Sequence, residues 1–196
     1  MNRHQVDDLL CEALETERGG IKIYETALTC AQNADLTKEW ERYLGETRRH
    51  ERVLMDICTE FGVNAEQETG GRKIVRSIAE TLVKGMQVAL SSGARGQAEI
   101  VAAESVAMAE LKDHLNWELI GQVAEKMDGS DAAILKKAYD EIEDQEDRHF
   151  YHAKGWAREL WAASLGVPAV IPPPEDKLHV KGGMGAAAAE HSRKLM

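Results

Sequence analysis

Hydrophobic residues recur every three or four positions through most of this chain, a spacing that predicts amphipathic helices. The pattern is interrupted by turn-forming stretches, which are "NAD" at 33–35, "FGVNAEQETGG" at 61–71, "SSGARG" at 91–96 and "DGSD" at 128–131. We therefore predict five helices, over residues 3–32, 35–61, 72–91, 97–127 and 131–165. Asp35 and Asp131 are the predicted N-caps. No stretch shows a strand pattern of comparable strength, so the predicted fold class is all-α.

The last part of the chain has a different composition. All four prolines lie between Pro168 and Pro174, and the residues after them are rich in glycine and alanine. We predict a helical domain over residues 1–166 and an extended, flexible tail over residues 167–196.

Each long helix carries one apolar stripe of the kind that a helical bundle buries, advancing by three and four residues alternately. Near its middle, each stripe is interrupted by Glu or His. The interrupting residues are Glu17 in the first helix, His50 in the second, Glu110 and His114 in the fourth, and Glu146 and His149 in the fifth. A single such residue is usually an ordinary core polar group, but four helices sharing the feature favour a common site.

These polar positions lie at similar distances from the turns that join their helices. Glu17 lies 16 positions before the turn at residue 33, and His50 lies 17 after it. Glu110 lies 19 positions before the turn at residue 129, whereas Glu146 and His149 lie 17 and 20 after it. At about 1.5 Å per residue, antiparallel helices would bring each set to within about one turn of the same level. Buried carboxylates repel one another unless they are protonated or bound to a cation, so we predict a metal site.

Composition and charge narrow the possible functions. The net charge of −10 over 196 residues argues against nucleic-acid binding, which needs clustered Lys and Arg. Cys11, Cys30 and Cys58 form no Cys-x-x-Cys pair, so we expect reduced, packed cysteines in a cytoplasmic protein rather than a thiolate metal site. No apolar leader or membrane-spanning run is visible, so no membrane partner is expected.

Glu17, "ETRRH" at 46–50, Glu110 and "EDRH" at 146–149 resemble, in order and spacing, the ferritin-like superfamily. In that superfamily two helices each supply a Glu and two others each supply Glu-x-x-His. The stretch "LGETRRHERVLMDICTEFGV" looks similar to the YciF-like branch of bacterial ferritin-like stress proteins, and the resemblance covers roughly residues 3–165. It implies an antiparallel four-helix bundle with an extra short helix between the second and third bundle helices.

The resemblance also implies a dinuclear metal–carboxylate centre. Its implied ligands are Glu17, His50, Glu110, Glu146 and His149, with one or two of the carboxylates bridging two ions. Two iron ions are the expected cofactor, and manganese or zinc is compatible with carboxylate and imidazole ligands that include no thiolate. Tyr24, seven residues after Glu17, is expected beside the ligands.

The second helix departs from the family motif, because Thr47 stands where the Glu of Glu-x-x-His is expected. Glu46 lies four residues before His50 on the same side of the helix and can supply the missing carboxylate. If Glu46 does not do so, the alternative is a single ion or a weak site.

Other residues close to the predicted ligands have several possible roles. Asp113 and His114 are expected as ligands or as hydrogen-bond partners of ligands, and Glu143 and His152 as solvated residues or as such partners. The Gly19–Gly20 pair allows a local kink, a close helix approach or small-molecule access beside the ligand of the first helix.

Two functions from different classes remain open. A dinuclear centre would act on dioxygen or peroxide, with ferroxidase-, peroxidase- or catalase-like chemistry in the stress context that the resemblance implies. The alternative is a non-enzymatic helical stress or scaffold protein with a structural or vestigial metal site, which Thr47 favours. The expected partners are metal ions and a small oxidant, and a homodimer is expected from the prevalence of two-fold symmetry.

Overall fold

The computed structural model describes residues 2–171 and Pro174, and this part of the chain is helical apart from the connections between helices and the residues at its two ends. The helices are α1 (Arg3–Cys30), α2 (Ala34–Phe61), α3 (Gly70–Ser91), α4 (Arg95–Lys126) and α5 (Gly129–Ser164). No strand occurs among the described residues, so the all-α prediction is confirmed for them, and each predicted helix end lies within two residues of the observed one. The tail predicted over 167–196 lies mostly outside the described residues.

Asn33 and Gly62 set the two ends of α2. The Asn33 side chain accepts hydrogen bonds from the backbone N–H groups of Asp35 and of the residue after it, at 2.9 and 3.2 Å, which satisfies donors that a first turn leaves free. Gly62 ends the helix with a φ of 68°, a left-handed conformation that glycine adopts without strain. Asp35 as the N-cap is therefore wrong, since it lies in the first turn, where its charge favours the helix dipole. Asp131 likewise lies in the first turn of α5 and is not its N-cap.

The short helix α3 packs closely against α1. A Cβ atom built on Gly19 would lie 2.8 Å from the Cβ of Ala79 in α3, closer than real side chains allow. Of the alternatives open for the glycine pair, a close helix approach is therefore confirmed at Gly19. The same interface contains Glu15, which accepts hydrogen bonds from both Arg72 and Arg76. These contacts tie α3 to the face of α1.

Two apolar clusters form the core. The Trp40 cluster combines the C-terminal half of α1, the N-terminal halves of α2 and α4, part of α3 and the later part of α5. The Trp117 cluster combines the remaining halves of α1, α2, α4 and α5. The members that face the boundary between the clusters are Leu14 and Ile23 in α1, Leu44 and Leu54 in α2, Val106 and Trp117 in α4, and Ile142 and Ala153 in α5. On all four helices, the buried polar residues of the predicted site lie between these boundary residues.

Two further observations concern the whole described chain. Cys11, Cys30 and Cys58 are buried free thiols, so the prediction of reduced, packed cysteines is confirmed for the structure. Within the described residues, none of the helices has the length and apolar composition needed to cross a membrane.

Candidate metal centre

The predicted ligands from four helices meet in the layer between the two apolar clusters. Potential ligand atoms of Glu17, His50 and Glu146 all lie within 4.8 Å of one another, and so do those of Glu110, Glu146 and His149. Glu146 belongs to both groups. We refer to these five residues as the carboxylate–histidine cluster. Each of them is at most 3% exposed, so bulk water screens their charges poorly.

Within each of the two groups, the distances between potential ligand atoms fit binding to one ion. Nδ1 of His50 lies 2.9 Å from Oε1 of Glu146 and 3.6 Å from Oε1 of Glu17. Nδ1 of His149 lies 3.6 Å both from Oε2 of Glu110 and from Oε1 of Glu146. Within the described residues neither Nδ1 atom has a hydrogen-bond partner, so these are contacts without hydrogen-bond geometry. Ligand atoms that each lie about 2.1 Å from one ion are themselves about 3 to 4 Å apart, which matches this spacing.

Both imidazoles present the same nitrogen to the cluster. Their other nitrogen, Nε2, lies against an acceptor: Oε2 of Glu46 at 2.7 Å from His149, and Oε1 of Gln145 at 3.3 Å from His50. Acceptors at these positions direct the Nε2 proton outward and leave Nδ1 as the nitrogen that can bind a cation. Glu46 thus contacts the outer nitrogen of His149 and belongs to neither group of potential ligands, so its predicted role as a replacement ligand stays a prediction.

Unpaired polar atoms are concentrated in this cluster. In the part of the chain that the structure describes, the buried atoms without a hydrogen-bond partner include Oε2 of Glu17, Nδ1 of His50, Oε2 of Glu110, both carboxylate oxygens of Glu146 and Nδ1 of His149. Leaving one such atom unpaired costs about 1–3 kcal/mol, and folded proteins contain few of them. Cations bound between these side chains would satisfy all of the atoms together.

Without a cation, the buried carboxyl groups hold their protons more strongly than usual. Burial, with the charges of Asp113 and Glu146, raises the pKa of Glu17 well above its ordinary range. Burial also raises the pKa of Glu146 to about 8, with His149 opposing the shift and Glu110 adding to it. Both groups must lose their protons to bind a cation, so metal binding should release protons.

The two histidines differ in their protonation. Burial, together with the neighbouring His149, lowers the pKa of His50 to about 4, so its imidazole is neutral and ready to bind a metal. Burial alone would lower the pKa of His149 as well, but contacts with Glu110 and Glu46 raise it to about 10. In the absence of a metal, His149 therefore carries a second proton that a cation would displace.

Helix α4 brings a further carboxylate to the same layer. Asp113 follows Glu110 by three residues, is 4% exposed, and has one oxygen without a hydrogen-bond partner. Burial and the charges of Glu146 and Glu110 raise its pKa well above the ordinary range, as expected for a carboxyl group close to the ligands. Thr47 is buried as well, but it brings no charge. Asp113 belongs to neither group of potential ligands, so its role as a ligand or as a hydrogen-bond partner of one stays a prediction.

Two tyrosines lie beside His149. The ring centroid of Tyr24 is 6.5 Å from that of His149, and its buried hydroxyl has no hydrogen-bond partner in the described part of the chain. The ring of Tyr43 is closer, at 4.0 Å, and its hydroxyl lies 2.5 Å from Nδ1 of His152. Glu39 completes this group, with Oε2 3.5 Å from the same nitrogen of His152. Sequence reasoning missed Glu39, although its spacing of four residues from Tyr43 places both on one face of α2.

His114 and Glu143 lie outside the cluster. The two nitrogens of His114 are each 3.5 Å from a carboxylate oxygen, one of Glu118 and one of Asp147. Glu143 is exposed, in agreement with the solvated alternative. Both residues line a pocket between α4 and α5 and are not grouped with the five potential ligands.

Comparison of the chain with protein-family models, with curated proteins and with solved structures finds no match.

Proposed function

We propose that this chain is a metal–carboxylate protein that holds two ions in the carboxylate–histidine cluster. One ion would bind Glu17, His50 and Glu146, and the other Glu110, Glu146 and His149. The observation that carries the proposal is the sharing of Glu146 between two groups of buried potential ligands. Neither oxygen of Glu146 has a hydrogen-bond partner among the described residues, so this carboxylate would be free to contact both ions.

A ferritin-like arrangement of the helices is part of the proposal. Along α1 and α5 the chain passes from the Trp117 cluster to the Trp40 cluster, whereas along α2 and α4 it passes in the reverse direction. This order supports a four-helix bundle in which α1 is antiparallel to α2 and α4 is antiparallel to α5. Helix α3 then belongs to the connection between α2 and α4.

Iron is the proposed metal, and manganese or zinc is compatible with the same side chains. Carboxylate and imidazole ligands without thiolate suit these ions. The five proposed ligands include three carboxylates and two imidazoles, so the carboxylates would neutralise most of the positive charge of two divalent ions. Charge neutralisation is needed here because the layer is nearly inaccessible to water, and burying an uncompensated charge is costly.

The proposed reaction is with dioxygen or peroxide, for which a redox-active metal pair would supply the electrons. The protein's own contribution would be to exclude bulk water, to hold the imidazoles through Glu46 and Gln145, and to place tyrosine hydroxyl groups nearby. The buried phenol of Tyr24 remains protonated, because burial and Glu110 raise its pKa well above the ordinary range.

The test loads metal-free protein with Fe(II) without oxygen, adds air or hydrogen peroxide, and follows Fe(III) formation by optical absorption. We expect oxidation to be at least about tenfold faster in the wild type than in the Glu146→Ala/His149→Ala variant, which corresponds to about 1.4 kcal/mol in the barrier. Equal rates in the two proteins would show that the cluster does not carry out the reaction.

A scaffold protein with a structural or vestigial site is the second candidate, and Thr47 at the motif position is the observation that favours it. Metal that binds and stabilises the protein without any reaction with dioxygen or peroxide would support this candidate. Oxidation at the cluster would exclude it.

A further inference from the structure

A small pocket between α4 and α5 reaches the carboxylate–histidine cluster from the surface. Its volume is about 50 Å³, and Glu146 is among its lining residues. Glu146 is 1% exposed, and neither of its carboxylate oxygens has a hydrogen-bond partner among residues 2–171 and Pro174. One water molecule needs roughly 10–15 Å³ by this measure, so the pocket has room for a few waters or a partly dehydrated ion.

Carboxylates dominate the outer part of this pocket. Glu118, Glu143 and Asp147 all line it, and the side chains of Glu118 and Asp147 are 52% and 40% exposed. His114 lies between these two carboxylates, with one nitrogen 3.5 Å from each. Among the described lining residues there is no Lys or Arg to neutralise this charge. A recess lined by charges of one sign concentrates counter-ions and raises their association rate.

Two aromatic residues form the walls of the pocket. Trp117 is buried, and its indole N–H donates to Oε1 of Glu17 at 3.0 Å. This wall therefore also contacts a potential ligand from α1. Tyr139 packs against Gly121, where a Cβ atom would lie only 2.6–2.8 Å from three of its ring carbons. Only glycine leaves room for the ring at this position. The pocket is therefore bounded by defined contacts.

We propose that this pocket is the route by which divalent cations reach the cluster, with Glu118, Glu143 and Asp147 as the capture site at its mouth. This inference rests on the proposed metal site. A cation bound first by the exposed carboxylates would exchange them for the unpaired oxygens of Glu146. The mouth would then control the rate of uptake, whereas the cluster would determine how many ions are retained.

The test measures the uptake of Co(II) by metal-free protein in a stopped-flow instrument, through the visible absorption of the bound ion. The test variant is Glu118→Gln/Glu143→Gln/Asp147→Asn. The control variant is Asp56→Asn/Glu60→Gln/Glu80→Gln, which removes the same charge from exposed positions on α2 and α3. At low ionic strength we expect about tenfold slower uptake by the test variant and an unchanged final amount of metal. The control variant should keep the wild-type rate.

The outcomes separate this inference from the proposed metal site. A wild-type uptake rate in the test variant, with Co(II) still bound, would overturn the route and leave the metal site intact. Absence of Co(II) binding by the wild type would overturn both. If the triple variant does not fold, judged by circular dichroism, the three single substitutions make the same comparison with smaller expected decreases.

Salt dependence provides an independent measurement of the same step. The screening length falls from about 30 Å at 0.01 M salt to about 10 Å at 0.1 M. Uptake by the wild type should therefore slow as salt is added, and uptake by the test variant should change less. Equal salt dependence in the two proteins would overturn the assignment of the mouth carboxylates.

Discussion

Glu15 and Glu17 lie two residues apart on α1 and are both buried, but their surroundings are opposite. Glu15 accepts four hydrogen bonds from Arg72 and Arg76, at 2.7–3.1 Å. Although burial acts in the other direction, these arginines lower the pKa of Glu15 to about 2. Glu17 accepts one hydrogen bond, from Trp117, while burial and neighbouring carboxyl groups raise its pKa well above the ordinary range.

The difference separates a buried carboxylate that arginines neutralise from a buried carboxyl group that has no such partner among the described residues. Glu15 is neutralised inside the protein, and its role is to join α1 to α3. Glu17 has no Lys or Arg partner among the described residues, and its closest charged neighbours include other acids. A buried group of acids with unpaired oxygens is unfavourable on its own, and a bound cation removes the cause.

The largest expected effect is a loss of folding stability in Glu15→Gln. Without a metal, this change leaves the buried Arg72 without its carboxylate, and breaking a buried ion pair costs about 3 kcal/mol or more. Glu17→Gln is the matched variant, and we expect it to be neutral or stabilising because a neutral amide replaces a buried acid whose ionisation is unfavourable beside other acids. Denaturant unfolding of metal-free protein measures both changes. Equal losses in the two variants would contradict the comparison.

Metal addition should narrow the difference in folding stability between the two variants. At 100 times the dissociation constant, a bound ion stabilises the folded state by about 2.7 kcal/mol. Wild type and Glu15→Gln should gain this amount, whereas Glu17→Gln should gain less at the same metal concentration because it lacks a ligand. Thermal unfolding with and without Mn(II) provides the measurement. A full gain in Glu17→Gln would show that Glu17 does not bind the ion.

The contrast between these residues also shows what sequence can predict. The helices were predictable because their apolar spacing extends over many turns, and Glu17 was predictable because it interrupts an apolar stripe. The role of Glu15 was not, since it depends on arginines 57 and 61 positions away on α3. Nothing in a four-helix pattern indicates which face of α1 this additional helix covers.

Side-chain orientation also could not be predicted from the sequence. Spacing placed Glu46 on the same side of α2 as His50, but the structure turns its carboxylate to His149 on α5. The group of Tyr43, His152 and Glu39 likewise depends on the rotation of α2 against α5. Helix periodicity specifies a face only to within one or two residues, so it does not determine which neighbouring side chain a residue on that face contacts.

Glu46→Gln should have a moderate effect on metal binding. Glutamine keeps an acceptor near Nε2 of His149 but removes the charge that supports the imidazole, so we expect about tenfold weaker binding, or about 1.4 kcal/mol. Isothermal titration of the metal-free variant measures this change.

Thr47→Glu should leave the number of bound ions at two. An increase from one ion to two in Thr47→Glu would instead show that the natural site is incomplete.

The smallest expected effect is the pH dependence that Glu15 contributes. Its folded-state pKa is about 2, against an ordinary value of 4.5, so its stabilisation is complete above pH 4.5 and is lost as pH falls towards 2. Between pH 7 and pH 4, wild type should lose about 1 kcal/mol relative to Glu15→Gln. In metal-free protein, the contribution of Glu146 to the pH dependence of folding stability has the opposite sign. Its pKa is raised to about 8, so its stabilisation is lost as pH rises from 4.5 towards 8. Denaturant unfolding of wild type and Glu15→Gln at pH 4 and pH 7 tests the Glu15 prediction. The same stability difference between the two proteins at both pH values would contradict it.

The most direct measurement is the number of metal ions that the cluster retains. Metal-free protein is dialysed against Fe(II) or Mn(II) without oxygen, and elemental analysis then gives the ions bound per chain. The prediction is two ions for the wild type and fewer than one for Glu146→Ala/His149→Ala, with the metal-free variant still folded. Wild-type protein that retains no metal, or a variant that retains the same number as wild type, would contradict the assignment of the buried acids as a metal site.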